Sequence, residues 1–189
     1  PVFAAFMRDQ MTTALRAKEA AKDAGFCVLH MYVDGIWVSR SDASQTDDFQ
    51  PLVEEIARRT GLPLALDGIY RWVAFLPSRL DARVPVPNRY FGVFQDGSLK
   101  VRGLETRRRD TPAWIGAVQM EMIEMLAKVE DADRLPDQLP ALVELLRARL
   151  AELRSGRIPL DDLLVGQRLT RDLEKYTVPS PAARAAAQL

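Results

Sequence analysis

Asp34 stands between two apolar runs, Val28-Leu29-His30-Met31-Tyr32-Val33 and Ile36-Trp37-Val38, and is followed by Gly35. An Asp-Gly pair between such runs is a strong short-range signal for a tight β-hairpin. A carboxylate is therefore expected at the tip of a rigid hairpin. Hard Mg2+ ions favour oxygen ligands, usually carboxylates together with substrate phosphates. In two-metal phosphoryl transfer, two cations about 3.5–4 Å apart bind the attacking and leaving oxygens. Asp34 can supply one such ligand and Ile36 can supply none. Asp-Gly is equally a common hairpin turn with no metal role, and both readings stand at this point.

A second chemistry is written in the basic residues. Lys100-Val101-Arg102-Gly103 is followed closely by Arg107-Arg108-Arg109-Asp110. On a strand, Lys100 and Arg102 point to one face. That spacing can straddle successive phosphates of a nucleic-acid backbone, giving sequence-independent, salt-sensitive binding. The plainer reading is a solvated strand face and a charged linker. The density of the cluster and the nearby aromatics Tyr90 and Phe91, which can stack or pack against a strand, favour phosphate binding. The one histidine, His30, cannot form a metal cluster by itself, since zinc sites want several N/S ligands, and a packing or surface role is expected. Cys27 has no nearby base in sequence and is expected to pack in the interior.

The bulk numbers narrow the class. The chain has 189 residues, 48% of them hydrophobic, enough for a real core in one ordinary domain or two small ones. Lys plus Arg and Asp plus Glu are each 26, so any nucleic-acid surface is a local patch. One cysteine rules out an internal disulfide and fits a reducing, cytoplasmic compartment. No apolar run approaches the roughly 20 residues that span a bilayer, and no signal peptide is visible. The start at Pro1, inside an apparent helix, reads as a fragment of a longer protein.

The elements that must position these residues follow from spacing. A helix is expected over about residues 2–24, stopped by Gly25. The hairpin over 27–39 follows, then a polar loop over 41–48. Leu52, Val53, Ile56 and Ala57 have helical spacing, with Gly61 as a stop. Residues 64–76 alternate and read as strand, and the proline-bearing segment 77–88 reads as loop. A second hairpin is expected over 89–94 and 99–101, turning at Asp96-Gly97. Beyond Thr111-Pro112 the pattern becomes helical. Pro112 suits a first turn, with Thr111 or Asp110 as cap. Trp114, Val118, Met122, Met125 and Leu126 form a stripe, and Met120, Met122 and Met125 are expected in that half's core. A further amphipathic helix runs from Leu139 to Leu153, ended by Gly156, and 158–166 is a short connector. Residues 169–176 are polar and charged, and the Ala-rich tail 182–187 reads as the start of a helix. Mixed elements followed by helices argue for an α+β architecture, with a boundary near 103–112.

Several segments resemble family B DNA polymerases. Tyr32-Val33-Asp34-Gly35-Ile36-Trp37 resembles their motif C, usually Tyr-Gly-Asp-Thr-Asp-Ser. Tyr32 and Asp34 match, while Ile36 stands where the second aspartate is usual. Asn88-Arg89-Tyr90-Phe91-Gly92 looks like the Lys-Lys-Arg-Tyr-x-Gly segment that approaches the template–primer duplex. Arg89, Tyr90 and Gly92 match, and the lysine pair does not. Lys100-Val101-Arg102-Gly103-Leu104-Glu105 looks like the Lys-x-Lys/Arg-Gly-Leu/Ile-Glu segment, and Arg108-Arg109-Asp110 like the entry to the thumb. Ile158 to Leu163 and Leu169 to Tyr176 look like thumb segments that lie along the primer duplex. Ser180-Pro181-Ala182-Ala183 is similar to the next thumb helix, usually Pro-His-Val, without the histidine. The matches keep the family's order. The changes at motif C resemble the archaeal and bacterial second paralogue of family B.

The resemblance implies antiparallel palm hairpins with helices over residues 1–106 and a helical part of the thumb over 107–189. It implies template-directed addition of deoxynucleotides to a primer 3′ end by the full-length parent, with Mg2+ that Ile36 would weaken. Asp34 would be the surviving motif C acid, both catalytic and metal-binding. Arg89, Tyr90, Lys100 and Arg102 would hold duplex from the palm, and Arg107, Arg108, Arg109, Arg171, Lys175 and Tyr176 from the thumb. The implied partners are template–primer duplex, deoxynucleotides and upstream polymerase domains, with no membrane. The fragment alone should not polymerise, because motifs A and B would precede it. Trp37 would either cover the hairpin or fill space left by the missing carboxylate. A catalytically inactivated DNA-binding or scaffold subunit is the alternative, and an unrelated α+β interaction domain a third reading.

Overall fold

The chain was analysed as a computed structural model that describes residues 2–32, 35–166, 169, 172, 175 and 180–188. It opens with helix α1 (Val2–Asp23), which ends as expected at Gly25. There the Phe26 N–H donates to the Ala21 carbonyl at 2.9 Å and the Gly25 N–H to the Lys22 carbonyl at 3.0 Å. This double closure is a Schellman motif, and it turns the chain straight into a strand. Strands β1 (Cys27–Tyr32) and β2 (Gly35–Ser39) form an antiparallel hairpin in which Tyr32 faces Gly35. Gly35, expected in the turn, belongs to the second strand. Packing sets this register: a one-residue slip would exchange the two faces of the hairpin, and both faces are used. Cys27, expected in the interior, is exposed at the start of β1.

Helix α2 (Thr46–Thr60) begins inside the segment expected to be a polar loop. Its start is made by Asp48, whose Oδ2 accepts the N–H groups of Ser44 and Gln45, each at 2.8 Å. Those backbone bonds hold the Asp48 carboxyl below its ordinary value. Gly61 caps the far end in the left-handed region. Ala20 and Ala21 of α1 are fully buried, and their small side chains give α2 close access to α1. Phe26, Phe49, Leu52 and Ile56 complete that core. The Arg40 guanidinium lies 4.3 Å from the centre of the Phe26 ring and closes one side. Arg59 joins the helices by pairing with Asp23 and with Glu55, both at 2.6 Å.

Strands β3 (Tyr70–Pro77), β4 (Pro85–Phe94) and β5 (Leu99–Arg102) form a sheet in that order. The expected strand over 64–76 is thus shorter at its start. Side-chain alternation marks residues 64–69 as extended, but a strand also needs a neighbouring ladder, and pairing begins only at Tyr70. At the other end the sheet runs further than expected, because Pro77 and Pro85 face each other at its margin, where a missing N–H is tolerated. The expected turn at Asp96-Gly97 is present. Gly97 donates to the Phe94 carbonyl at 3.0 Å, and Ser98 N–H donates to Asp96 Oδ1 at 2.8 Å.

The chain divides into two compact units, Pro1–Lys100 and Val101–Leu189. In the second, a short 3-10 turn (Glu105–Arg107) leads to helix α3 (Ala113–Leu126). The residue at the N-terminal boundary of α3 is Pro112, with no side-chain cap. Asp110, a cap candidate, is instead bonded by Arg108 through both its oxygens, at 2.9 and 2.6 Å. Helix α4 (Leu139–Arg154) is clamped to α3 by Arg149, which reaches the Glu121 oxygens at 2.7 and 2.9 Å. Ile123, Val129 and Leu142 are buried in this unit. Met120, Met122 and Met125 are half-buried. A short helix α5 (Pro181–Ala186) begins at Ser180, whose Oγ accepts the Ala183 N–H at 3.2 Å. These helices and antiparallel sheets make the protein α+β, as expected.

The ion pairs on α2 give a pH dependence. Hydrogen bonds from Arg58 and Arg59 lower the Glu55 carboxyl from the ordinary 4.5 to about 2. A carboxylate depressed on folding contributes stability that is present above its unfolded value and lost as pH falls through its folded one. Thermal unfolding followed by circular dichroism should show the midpoint falling between pH 4.5 and 2, and Glu55→Gln should flatten that fall.

Candidate nucleic-acid interface and the hairpin beneath it

The β1–β2 hairpin packs on both faces, with its inward side chains half-buried. On one, Val28, Ile36 and Val38 pack against the α1–α2 core. On the other, His30 and Trp37, cross-strand partners with ring centres 5.3 Å apart, meet the β3–β4 sheet. His30 lies 4.2 Å from Phe75, and Trp37 lies 5.4 Å from Phe75 and 5.3 Å from Tyr90. Phe75 and Tyr90 are themselves 5.3 Å apart. The four rings form one cluster. Edge-to-face and tilted pairs of this kind stabilise beyond the area they bury. Neither Phe75's strand nor the hairpin names its partners in sequence, since the members come from three distant segments.

 The sequence does carry one sign of the cluster, the spacing of the aromatics in β3 and β4, but it does not say what they face.

Tyr90, expected to touch duplex, is only 5% exposed, and its ring is engaged by Trp37 and Phe75. It therefore packs beneath the surface and leaves no open ring face for a base. Gly92 permits the close approach of β3 to β4. A Cβ there would stand 2.8 Å from the Trp72 carbonyl oxygen and 2.9 Å from the Tyr70 ring. Burial pushes the Tyr70 phenol well above its ordinary value, with the charge of Asp67 adding to it.

The basic residues lie on several elements. Arg89 is half-buried on β4. On β5, buried Val101 separates half-buried Lys100 from exposed Arg102, which places the two cations on the face opposite Val101. Lys100 Nζ is 2.8 Å from an Asp67 carboxylate oxygen, a partner that sequence reasoning missed. Arg107, Arg108 and Arg109 are exposed. The turn that carries Arg107 is tied to α3 by Gln119, which accepts the Thr106 N–H at 2.8 Å and donates to Glu105 at 2.9 Å. Arg108 is held by Asp110, whose carboxyl is kept below its ordinary value by that bond. Lys175 is exposed and pairs with Asp172 at 2.5 Å. Asp34, Arg171 and Tyr176 lie outside the described residues.

Ile36 packs against an apolar core and has no oxygen to offer. Among the described residues, no group of three or more His, Cys, Asp or Glu side chains is placed to hold a metal ion. Also among the described residues, no helix is long and apolar enough to cross a membrane.

A family model described as DNA polymerase family B matches residues 87–188. The chain belongs to family B of the DNA polymerases. It is 27% identical over 156 residues to a DNA polymerase of Archaeoglobus fulgidus, covering 82% of this chain and 18% of that protein. It is 26% identical over 182 residues to DNA polymerase 2 of Aeropyrum pernix, covering 96% of this chain and 20% of that one. The solved family B DNA polymerase from the hyperthermophilic archaeon Pyrobaculum calidifontis shares the fold, with a TM-score of 0.52 at 24% identity, over 93% of this chain and 20% of that chain. This family B chain thus spans about a fifth of the length of these three relatives. Arg89, Lys100, Arg102, Arg107, Arg108, Arg109, Arg171 and Lys175 lie within the matched range, and the β1–β2 hairpin precedes it.

The packing of Ile36 yields a direct test. Placing a carboxylate at this position puts a charge against the α1–α2 core. Ile36→Asp should lower stability by about 1–3 kcal/mol, and Ile36→Val by less than about 1.5 kcal/mol. Urea unfolding measures both, and an unchanged midpoint for Ile36→Asp would refute the packing account.

Proposed function

We propose that this chain is the duplex-gripping palm-and-thumb portion of a family B polymerase, with palm over residues 1–106 and thumb over 107–189. The observation that carries the reading is the family match over 87–188, which contains Arg89, Lys100, Arg102, Arg107, Arg108, Arg109, Arg171 and Lys175. Exposed Arg102, Arg107 and Arg109 supply phosphate contacts that need no base sequence. Arg108 and Lys175 do so by exchanging a carboxylate partner for a phosphate. Tyr90 acts from below, holding β4 and with it Arg89 against the hairpin. Tyr176 belongs to the same grip from the thumb.

In the full-length parent, the activity is addition of deoxynucleotides to a primer 3′ end, with Asp34 as the acid at the hairpin. Mg2+ would neutralise phosphate charge there, drawing its remaining ligands from other parts of the parent. The packing of Ile36 into apolar core favours a second reading, in which the parent is a catalytically inactivated DNA-binding or scaffold subunit.

Two measurements test these readings. Fluorescence anisotropy with primer–template duplex should show binding that weakens steeply with salt. Arg102→Ala should reduce the slope of log affinity against log salt by about 1, as loss of one phosphate contact does. A slope unchanged from the parent chain would remove Arg102 from the interface. Primer extension by the full-length parent should be lost on Asp34→Ala. No extension by the unmodified parent would instead favour the scaffold reading.

A further inference from the structure

We infer that Asp67 is a built-in competitor for the DNA phosphate that Lys100 would bind, and so sets how tightly this surface holds duplex. The inference rests on the duplex-binding reading above and names a regulator of that same site.

The pair is a product of the fold. Lys100 and Asp67 are 33 positions apart, and their charged atoms lie 2.8 Å from each other. Arg108 with Asp110 and Lys175 with Asp172 are by contrast local pairs, two and three positions apart. Asp67 is brought to β5 by the chain around it. The Gln95 N–H donates to the Ile69 carbonyl at 2.9 Å, which fastens this segment beside the β4–β5 turn. The preceding Gly68 crosses directly over Phe94, where a Cβ would come within 2.6 Å of the ring. Phe94 in turn is stacked on Tyr70 at 4.3 Å. With its neighbours placed in this way, Asp67 is held within reach of Lys100.

The electrostatic consequence is an exchange. Asp67 is 60% exposed at its side chain and Lys100 is 32% exposed, so solvent and DNA can both reach the pair. A phosphate arriving at Lys100 must displace a carboxylate of the same charge sign, and that carboxylate stays nearby. An exposed pair of this kind is weak, so the exchange is feasible and its cost is small. The cation at Lys100 therefore contributes less to duplex affinity than an unpaired lysine would.

The test uses the 189-residue chain and a fluorescein-labelled primer–template duplex, with anisotropy measured across a salt series. Asp67→Asn should bind roughly two- to five-fold more tightly at low salt. Its salt slope should steepen by up to about 1, because Lys100 then neutralises a phosphate fully. In the Lys100→Met background, most of the gain from Asp67→Asn should disappear. Circular dichroism checks that each variant is folded. An unmodified chain that binds duplex as tightly as Asp67→Asn overturns the inference and leaves the duplex-binding reading in place. A gain that persists fully in the Lys100→Met background also overturns it, since Asp67 would then act by general repulsion. If neither the unmodified chain nor Asp67→Asn binds duplex at low salt, the duplex-binding reading falls and the inference falls with it.

Discussion

The two-sided packing of the β1–β2 hairpin is the constraint on which the first unit depends. Ile36 and Val38 enter the α1–α2 core, while Trp37 and His30 meet Phe75 and Tyr90 of the neighbouring sheet. Residues alternate between the faces of a strand, so each adjacent pair of side chains must satisfy a different neighbour. The hairpin thereby couples a helical layer to a sheet. It also fixes its own register, which explains why Gly35 is drawn into the second strand.

That constraint bears on chemistry. A hairpin whose second strand is committed to packing on both sides has little room for a polar ligand in that strand. Ile36 is part of a consistent arrangement of apolar contacts, and Trp37 beside it is anchored by aromatic partners. The chain keeps the family B framework, and its described hairpin is organised around packing. The basic residues show the complementary pattern. They stay near the surface, and Lys100, Arg108 and Lys175 are paired with carboxylates.

Much of the fold was legible in the chain's local patterns. Gly25 and Gly61 mark helix ends because each closes a terminus in a conformation that glycine adopts at little cost. Asp96-Gly97 marks its hairpin for the same reason. The errors have equally specific origins. Asp48 starts α2 earlier than expected because a side chain accepts two backbone N–H groups. The α3 boundary falls at Pro112 without a side-chain cap, and Asp110 is bonded to Arg108. Residues 64–69 alternate like a strand but do not pair as one. In each case a hydrogen-bond partner, or its absence, overrode a sound reading of spacing.

The sequence by itself determined the order of elements, the placement of cations along β5 and after it, and membership of family B, because these depend on local spacing and motif order. Tertiary structure alone decided that Tyr90 is buried, that Ile36 joins an apolar core and that Asp67 reaches Lys100. Those outcomes depend on which distant segments are brought together. Bringing them together is governed by the balance of apolar burial against chain entropy over the whole unit, and no short stretch of residues encodes that balance.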